Sequence, residues 1–99
     1  MKLRDIAHSR TGDKGDTSNI SVIALDSKNY AVLVESVTAS RVAHHFAGIA
    51  TGRVTRYEMP NVGALNFVLE GALGGGVTRA LTLDAHGKSL SSLMLDLEV

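Results

Sequence analysis

A polar decapeptide between two strand-like runs most constrains the fold of this chain. Residues 10–19 read Arg-Thr-Gly-Asp-Lys-Gly-Asp-Thr-Ser-Asn. Residues 2–8 alternate imperfectly between two faces, and residues 20–25 are rich in β-branched side chains, so both segments are predicted as strands. Two strands joined by a polar segment predict an antiparallel hairpin. Its tip is expected to be unusually long and to carry charged, hydroxyl and amide groups.

Helices are predicted in three further segments. Residues 30–37 favour a first helix, and residues 39–47 favour a second one with Thr38 as its N-cap. Apolar residues recur at helical spacing over 62–73, which predicts a third and longer helix with Asn61 as its N-cap.

Two more segments are predicted as strands, and the C-terminal segment fits two structures. Residues 51–59 carry three charged side chains, which predicts an edge strand with at least one face in water. Residues 78–84 alternate cleanly between two faces. Residues 89–99 fit both a helix and a strand, and a short helix with an extended end is the preferred prediction.

These elements predict a two-layer α+β sandwich. A four-stranded, mostly antiparallel sheet would carry helices on one face, in a ferredoxin-like arrangement or a rearranged version of it. The 99 residues are expected to form a single domain over 1–99. A chain of this size buries about two-thirds of its unfolded surface, which is enough for one core without disulfides or metals.

Composition excludes several classes of function. Ten basic and ten acidic residues cancel, and only four residues are aromatic, so no nucleic-acid surface is expected. The absence of cysteine excludes disulfides, thiolate catalysis and zinc sites of the cysteine type. No signal peptide or membrane span is predicted, so a cytoplasmic location is expected. Because the net charge is zero, copies of the chain do not repel one another, so self-association is tolerated.

The decapeptide can be interpreted as a cradle for an anion. Gly12 and Gly15 can take positive φ, which would let successive N–H groups converge on an oxyanion. Arg10 and Lys14 would then pair with a phosphate. Further hydroxyl donors in the same segment are Thr11, Thr17 and Ser18.

Two alternatives depend on the carboxylates of Asp13 and Asp16, which would repel an anion. In the first, both are Asx-turn residues that cap their own backbone, with the neighbouring cations as salt partners. In the second, Asp13, Asp16 and Asn19 begin a divalent-cation site, although Lys14 in the middle weakens that pattern. No other cofactor is expected.

A second glycine-rich segment ends in a cation. Gly74, Gly75 and Gly76 precede Arg79 without any phosphate-loop motif, so a turn from helix to strand is the favoured interpretation. If this segment and the decapeptide lie at the same end of the sheet, their cations would gather around one phosphate or carboxylate.

The predicted 62–73 helix offers two further candidates. Gly63, Phe67 and Gly71 share its far side at four-residue spacing, so Phe67 either covers a local gap or contacts another subunit. Asn66 is flanked by apolar residues and is interpreted as a buried amide that binds backbone near Pro60 or the glycine turn, with a substrate contact as the alternative.

The histidines and serines form no catalytic or metal-binding motif. His44 and His45 point about 100° apart on a helix and cannot chelate one metal together. His8 and His86 complete no ligand spacing, so all four are expected to be surface or capping residues, and no metal site is predicted from them. No Gly-x-Ser-x-Gly elbow is present. The isolated chain is therefore not expected to be an enzyme.

Four ordered motifs together resemble the small C-terminal domain of the AtuA-like proteins, the acyclic terpene utilisation family. They are the decapeptide 10–19, His-Phe-Ala-Gly at 45–48, Arg-Tyr-Glu-Met-Pro-Asn at 56–61, and the run from Ala64-Leu-Asn-Phe-Val-Leu to Gly71-Ala-Leu-Gly-Gly-Gly. The resemblance covers nearly the whole chain and implies a ferredoxin-like fold. It also implies a setting in bacterial catabolism of acyclic terpenoids or related branched acids, which proceeds through coenzyme A thioesters.

The resemblance assigns no catalytic residue. Thr11 stands where the family pattern has serine, and Ser21 stands where glycine is common. The domain is expected to stand as its own chain, without the large N-terminal domain of longer members, so a site between the two domains would be half present.

The function expected from this sequence is that of a small accessory domain or subunit. It would act by association with itself, as a homo-oligomer, or with a larger AtuA-type partner. The alternative is a small-ligand binding module or enzyme subunit that holds a phosphate, a carboxylate or a coenzyme A thioester on residues 10–19. A third hypothesis, an independent enzyme of the hydratase or isomerase kind, is the least favoured of the three.

Overall fold

A four-stranded antiparallel sheet with helices on one face forms the domain. The structure, a computed structural model, describes residues 1–14, 17–47, 52–71 and 88–99, without the side chains of residues 13, 14, 88 and 89. In these ranges the elements are β1 Ala7–Lys14, β2 Thr17–Ala24, α1 Tyr30–Ser36, α2 Ala39–His45, β3 Val54–Met59, β4 Ala64–Leu69 and α3 Lys88–Leu95. Short 3-10 helices cover Leu3–Asp5, Ser27–Asn29 and Pro60–Val62. The predicted α+β fold class is confirmed.

Two hairpins build the sheet. The strand order is β1-β2-β4-β3, and every neighbouring pair is antiparallel. Along the described chain the elements follow the order β-β-α-α-β-β-α, a rearrangement of the β-α-β-β-α-β ferredoxin order. Of the edge strand predicted over 51–59, the part Val54–Met59 is confirmed, since β3 pairs with β4 at one end of this order.

The inner face of the sheet and the helices share one hydrophobic core. Side chains alternate across a strand, so every second residue of β2 and β4 points toward the helices. The fully buried core side chains of the sheet are Ile20, Val22, Leu65, Phe67 and Leu69. Those contributed by the helices and the residues after them are Leu33, Val37, Val42, Phe46, Leu90 and Met94. The prediction of helices on one face of the sheet is confirmed.

Two helices near the middle of the chain and the C-terminal helix lie where they were predicted. The Thr38 side chain accepts a hydrogen bond from the Arg41 N–H at 3.2 Å, which satisfies one of the free donors at the start of α2. The C-terminal segment is a helix, as preferred, and an isolated antiparallel bridge between Lys2 and Glu98 supplies its extended end.

The predicted helix over 62–73 is wrong, because its central part is strand β4. Leu65, Phe67 and Leu69 repeat with period two and face the core. The same run also satisfies a helical stripe, and short apolar runs are ambiguous between the two periods. Pairing with β2 on one side and β3 on the other decides the outcome. Asn61 therefore lies in a 3-10 helix and caps no α-helix.

The prediction of a subunit interface at Gly63, Phe67 and Gly71 depended on that helix and is also wrong. Phe67 has 0% of its surface exposed, so its ring packs in the core and cannot meet another subunit. Gly63 and Gly71 adopt left-handed φ values of 63° and 71°, so they serve the turns that flank β4 rather than a helix face.

The predicted N-terminal hairpin is confirmed, but the prediction that it has a long tip is wrong. Residues 3–5 form a 3-10 helix, and the first strand begins only at Ala7. Strand pairing continues to Lys14 opposite Thr17, so most of the polar decapeptide belongs to the β1–β2 ladder. The predicted strand over 78–84 and the glycine turn at 74–76 lie outside the described residues.

Arg56 has a structural role that the sequence did not indicate. Its side chain lies on the inner face of β3, and its guanidinium donates to the backbone carbonyls of Val34 at 2.8 Å and Val37 at 3.0 Å. A second nitrogen pairs with the Glu58 carboxylate at 3.0 Å. These bonds tie the end of α1 to the edge strand and satisfy carbonyls that a helix terminus leaves free.

We predict that Arg56→Lys destabilises the domain by about 1–3 kcal/mol, because an ammonium cannot reproduce the fork that joins two carbonyls and a carboxylate. Urea unfolding measures the change. Arg53→Lys, at an exposed position of the same segment, serves as the control and should stay within about 0.5 kcal/mol of the parent chain. Equal effects of the two substitutions would contradict the role assigned to Arg56.

We predict opposite outcomes for alanine at two glycines. A Cβ at Gly52 would lie 2.7 Å from the Glu70 carbonyl oxygen, which also accepts the Gly52 N–H, so Gly52→Ala should cost about 1–3 kcal/mol. A Cβ at Gly12 would meet nothing within 4 Å, so Gly12→Ala should be neutral or stabilising by up to about 1 kcal/mol. Thermal unfolding of both variants checks the contrast, and a larger loss at Gly12 would refute it.

Candidate functional site

Four polar side chains form a row across the outer face of the sheet, the face opposite the helices. Arg10 lies opposite Ser21, Ser21 opposite Asn66, and Asn66 opposite Tyr57. Directly opposed residues on neighbouring antiparallel strands have Cβ atoms about 5 Å apart. One guanidinium, one hydroxyl, one amide and one phenol are therefore aligned across all four strands. We call this set the polar row.

The centre of the polar row is ordered by its own hydrogen bond. Ser21 Oγ donates to Asn66 Oδ1 at 3.2 Å, and both side chains are half-buried. The Asn66 amide N–H groups stay available, because an amide has two donors as well as its acceptor. Arg10 is exposed and forms no ion pair with any residue that the structure describes.

One end of the outer face is apolar. Ile23, Ala64 and Met59 lie opposite one another in the row next to the polar row, and His8 of β1 lies at the end of this row. Leu25 and Val62 flank the backbone hydrogen bond from Ala24 to Gly63, which closes this end of the sheet. Four large apolar side chains are exposed here: Leu25 at 60%, Tyr57 at 54%, Met59 at 44% and Val62 at 61%. We call this region the apolar end.

On the other side of the polar row, away from the apolar end, β1 carries a glycine. Gly12 lies opposite Asn19 in the β1–β2 ladder, and nothing approaches the position of a Gly12 Cβ. Among the described glycines, positive φ occurs at Gly63 and Gly71 and not at Gly12. The proposed contribution of Gly12 to an anion cradle is therefore wrong, because the ladder holds it in extended conformation.

The structure brings together only some of the predicted site residues. Arg10 and Asn66 share the polar row, although Asn66 bonds to Ser21 and not to backbone near Pro60. Thr11 lies on the inner face, where its hydroxyl hydrogen-bonds with the Ser91 hydroxyl of α3. It is therefore not part of the site on the outer face. Sequence reasoning did not select Ser21 or Tyr57 as site residues, and only the strand register connects them to Arg10.

Other predicted site residues lie outside the described part of the chain. These are Gly15, Asp16, Gly74, Gly75, Gly76 and Arg79, together with the side chains of Asp13 and Lys14. The paired-loop pocket and the cation site at Asp13 and Asp16 therefore stay predictions. Within the described ranges, no group of three or more His, Asp or Glu side chains is placed to hold a metal ion.

A separate cleft lies between α2 and the C-terminal segment. It is open to solvent, has a volume of about 250 Å³ and is lined by Ser40, Arg41, His44, His45 and Leu97. The Nε2 atom of His45 hydrogen-bonds with the Leu93 carbonyl, and the His45 ring meets the Phe46 ring edge-on at 5.3 Å. The two adjacent histidines thus line one cleft, which their angular separation on the helix did not predict.

Charged groups at the chain ends hold the C-terminal segment beside this cleft. The Asp96 carboxylate hydrogen-bonds with Arg4 and lies 3.8 Å from the Lys2 ammonium. The terminal amino group of Met1 lies 3.6 Å from the Glu98 carboxylate. The hydrogen bond from Arg4 is the main cause that lowers the pKa of Asp96, with burial opposing it and the charges of Arg4, Lys2 and His45 adding to it.

Comparison with known proteins identifies a family. The model of the AtuA ferredoxin-like domain family matches residues 1–99. No curated protein and no solved structure matches the chain. In the described part of the chain, none of the helices has the length and apolar character needed to cross a membrane.

We predict that the Arg4–Asp96 pair stabilises the domain in a pH-dependent way. Because folding lowers the pKa of Asp96 below its usual 3.8, the stabilisation is present above that value and is lost as pH falls through the folded-state pKa. Arg4→Gln should therefore be less stable than the parent at about pH 7, and the two should converge near pH 2.

Urea unfolding across this pH range measures the convergence. Arg10→Gln removes a cation without a described partner, and it should match the parent at every pH. If the difference in unfolding free energy between Arg4→Gln and the parent stayed constant down to the lowest pH, the pH-dependent role of the Arg4–Asp96 pair would be contradicted.

Proposed function

Because the chain belongs to the family of the AtuA ferredoxin-like domain, we propose that it is an accessory domain that docks onto a larger AtuA-type protein. The outer face of its sheet would form the contact. The setting that the family resemblance implies is catabolism of acyclic terpenoids or branched acyl-coenzyme A compounds. The domain would supply a binding surface rather than catalytic groups.

The outer face is the observation that carries this proposal. The described helices all pack on the inner face, while the apolar end and the polar row form one continuous outer surface. Exposed apolar groups next to polar groups are typical of protein–protein contact sites. Tyr57 suits the centre of such a contact, because it combines a large ring with a hydrogen-bonding hydroxyl.

Electrostatics favours a different protein over a second copy as the partner. The polar row and the two rows beside it contain the Arg10 guanidinium and the His8 imidazole, and no acidic side chain. Two copies meeting face to face would bring Arg10 against a surface without a carboxylate, and an interfacial cation without a partner is costly. A partner that places a carboxylate opposite Arg10 and an apolar group over Met59 fits both parts of the face.

A small anionic ligand is the second candidate for the same face. Arg10 is free of described ion pairs and can bind a carboxylate or phosphate in a bidentate manner. Asn66 has amide N–H groups left after its bond with Ser21. This alternative places the anion on the β1–β2–β4 ladder rather than on a loop, and it covers the phosphate, carboxylate and coenzyme A thioester classes.

We predict that Arg10→Glu weakens binding to a purified larger AtuA-type protein at least about tenfold, which corresponds to about 1.4 kcal/mol. Met59→Lys should act in the same direction, because it introduces a charge at the apolar end. Isothermal titration calorimetry measures both affinities. Lys28→Glu, an equal change of charge at an exposed position between β2 and α1, is the matched control and should bind like the parent.

The outcomes separate the candidates. If Arg10→Glu and Lys28→Glu weakened the binding of the larger protein equally, the net charge of the domain would determine the affinity, and the outer face would not. A dimer of the chain alone that Met59→Lys dissociates, without binding to the larger protein, would replace the proposed partner with a second copy. Binding of coenzyme A or phosphate that Arg10→Glu abolishes, again without binding to the larger protein, would favour the small-ligand alternative.

A further inference from the structure

We propose that the cleft between α2 and the C-terminal segment is a second site, which binds a single oxyanion group, a phosphate or a carboxylate. The cleft lies in the helix layer, whereas the outer face lies across the sheet. The proposal therefore does not depend on the docking function.

The lining residues stand in two neighbouring pairs on α2. Ser40 and His44 are four residues apart, as are Arg41 and His45, so each pair lies on adjacent turns of one helix face. Leu97 supplies the apolar side of the cleft and is buried. A helix face that combines a hydroxyl, a guanidinium and two imidazoles against an apolar wall is rich in donors.

Arg41 is held in place and still has donors to offer. One terminal nitrogen donates to the Ser36 carbonyl at 2.7 Å, and the other donates to the Glu98 carbonyl. A guanidinium has five N–H donors, so three are left after these two bonds. Because both bonds go to neutral carbonyls, the positive charge of Arg41 is not compensated by them.

The other polar groups of the lining are also available. A carbonyl can only accept, so His45 donates its Nε2 hydrogen to Leu93 and keeps Nδ1 unused. The side chains of Ser40 and His44 are exposed and form no hydrogen bond with any residue in the described part of the chain. Ser40, Arg41 and His44 thus carry O–H or N–H groups without a partner among the described residues, and all three side chains line the cleft.

The charge around the cleft favours an anion. Among the residues that the structure describes, no carboxylate lines it. The two carboxylates beside Leu97 along the chain, those of Asp96 and Glu98, are paired with Arg4, Lys2 and the terminal amino group. Arg41 is therefore a cation that lines the cleft without an ion-pair partner among the described residues.

The size of the cleft limits the ligand. About 250 Å³ is below the roughly 300–1,000 Å³ of pockets that enclose whole drug-sized molecules. A single phosphate or a small carboxylate fits this space, whereas a nucleotide would extend into solvent. The shared chemistry is one oxyanion, held by charge-assisted hydrogen bonds from Arg41, Ser40 and His44.

Amide and histidine NMR spectra of the full chain test the site. Inorganic phosphate and acetate are titrated separately, with sodium chloride at matched ionic strength as the reference. We expect saturable shifts at Ser40, Arg41 and His44 with at least one of the two oxyanions and no saturable shift with chloride. Phosphate alone would assign a phosphoryl group to the site, and acetate would assign a carboxylate.

Variants decide whether the cleft is responsible. Ser40→Ala combined with His44→Gln should raise the dissociation constant at least about fivefold, and both positions are exposed and unbonded, so the fold should persist. His8→Gln, an exposed histidine on the outer face, is the matched control and should bind like the parent. The absence of saturable shifts, equal shifts with chloride, or equal affinities of the double variant and the control would each overturn the proposal.

Discussion

The register of β4 is the constraint on which the rest of this domain depends. β4 lies between β2 and β3, and its odd-numbered residues, including Phe67, face the core while its even-numbered residues, including Asn66, face outward. A shift of one residue would exchange the two sets. The same pairing that buries Phe67 therefore also aligns Asn66 with Ser21 and Tyr57, so core packing and the polar row have one cause.

The two candidate sites differ in how they are built. The polar row comes from three strand pairings, so its positions are fixed by backbone geometry and the side chains only supply the chemistry. The cleft comes from a seven-residue helix and a segment held by ionic contacts at the chain ends. Exposed ion pairs are weak individually. The cleft therefore depends on several contacts acting together, whereas the row depends on the sheet.

Sequence patterns predicted the parts of this fold that have local causes. The Thr38 cap, the β-branched run of β2 and the charged edge strand each have a signal within a few residues. Residues 64–69 were assigned wrongly because their apolar positions fit two periods, and only pairing with β2, about 45 residues away, selects the strand. Arg10 and Asn66 were selected as site residues, but the geometry expected for them was wrong. Arg56 and the cleft depend on tertiary contacts that no short pattern contains.

The paired chain ends have a consequence for the unfolded state. The Val99 N–H donates to the Met1 carbonyl at 2.9 Å, and the Leu3 N–H donates to the Leu97 carbonyl at 2.8 Å. The folded backbone is thus almost a closed ring, open only between residues 99 and 1. A short peptide across that gap would keep these two backbone hydrogen bonds and reduce the conformational entropy of the denatured chain, although it would replace the terminal ammonium that pairs with Glu98 by a neutral amide. This domain is therefore well suited to head-to-tail cyclisation.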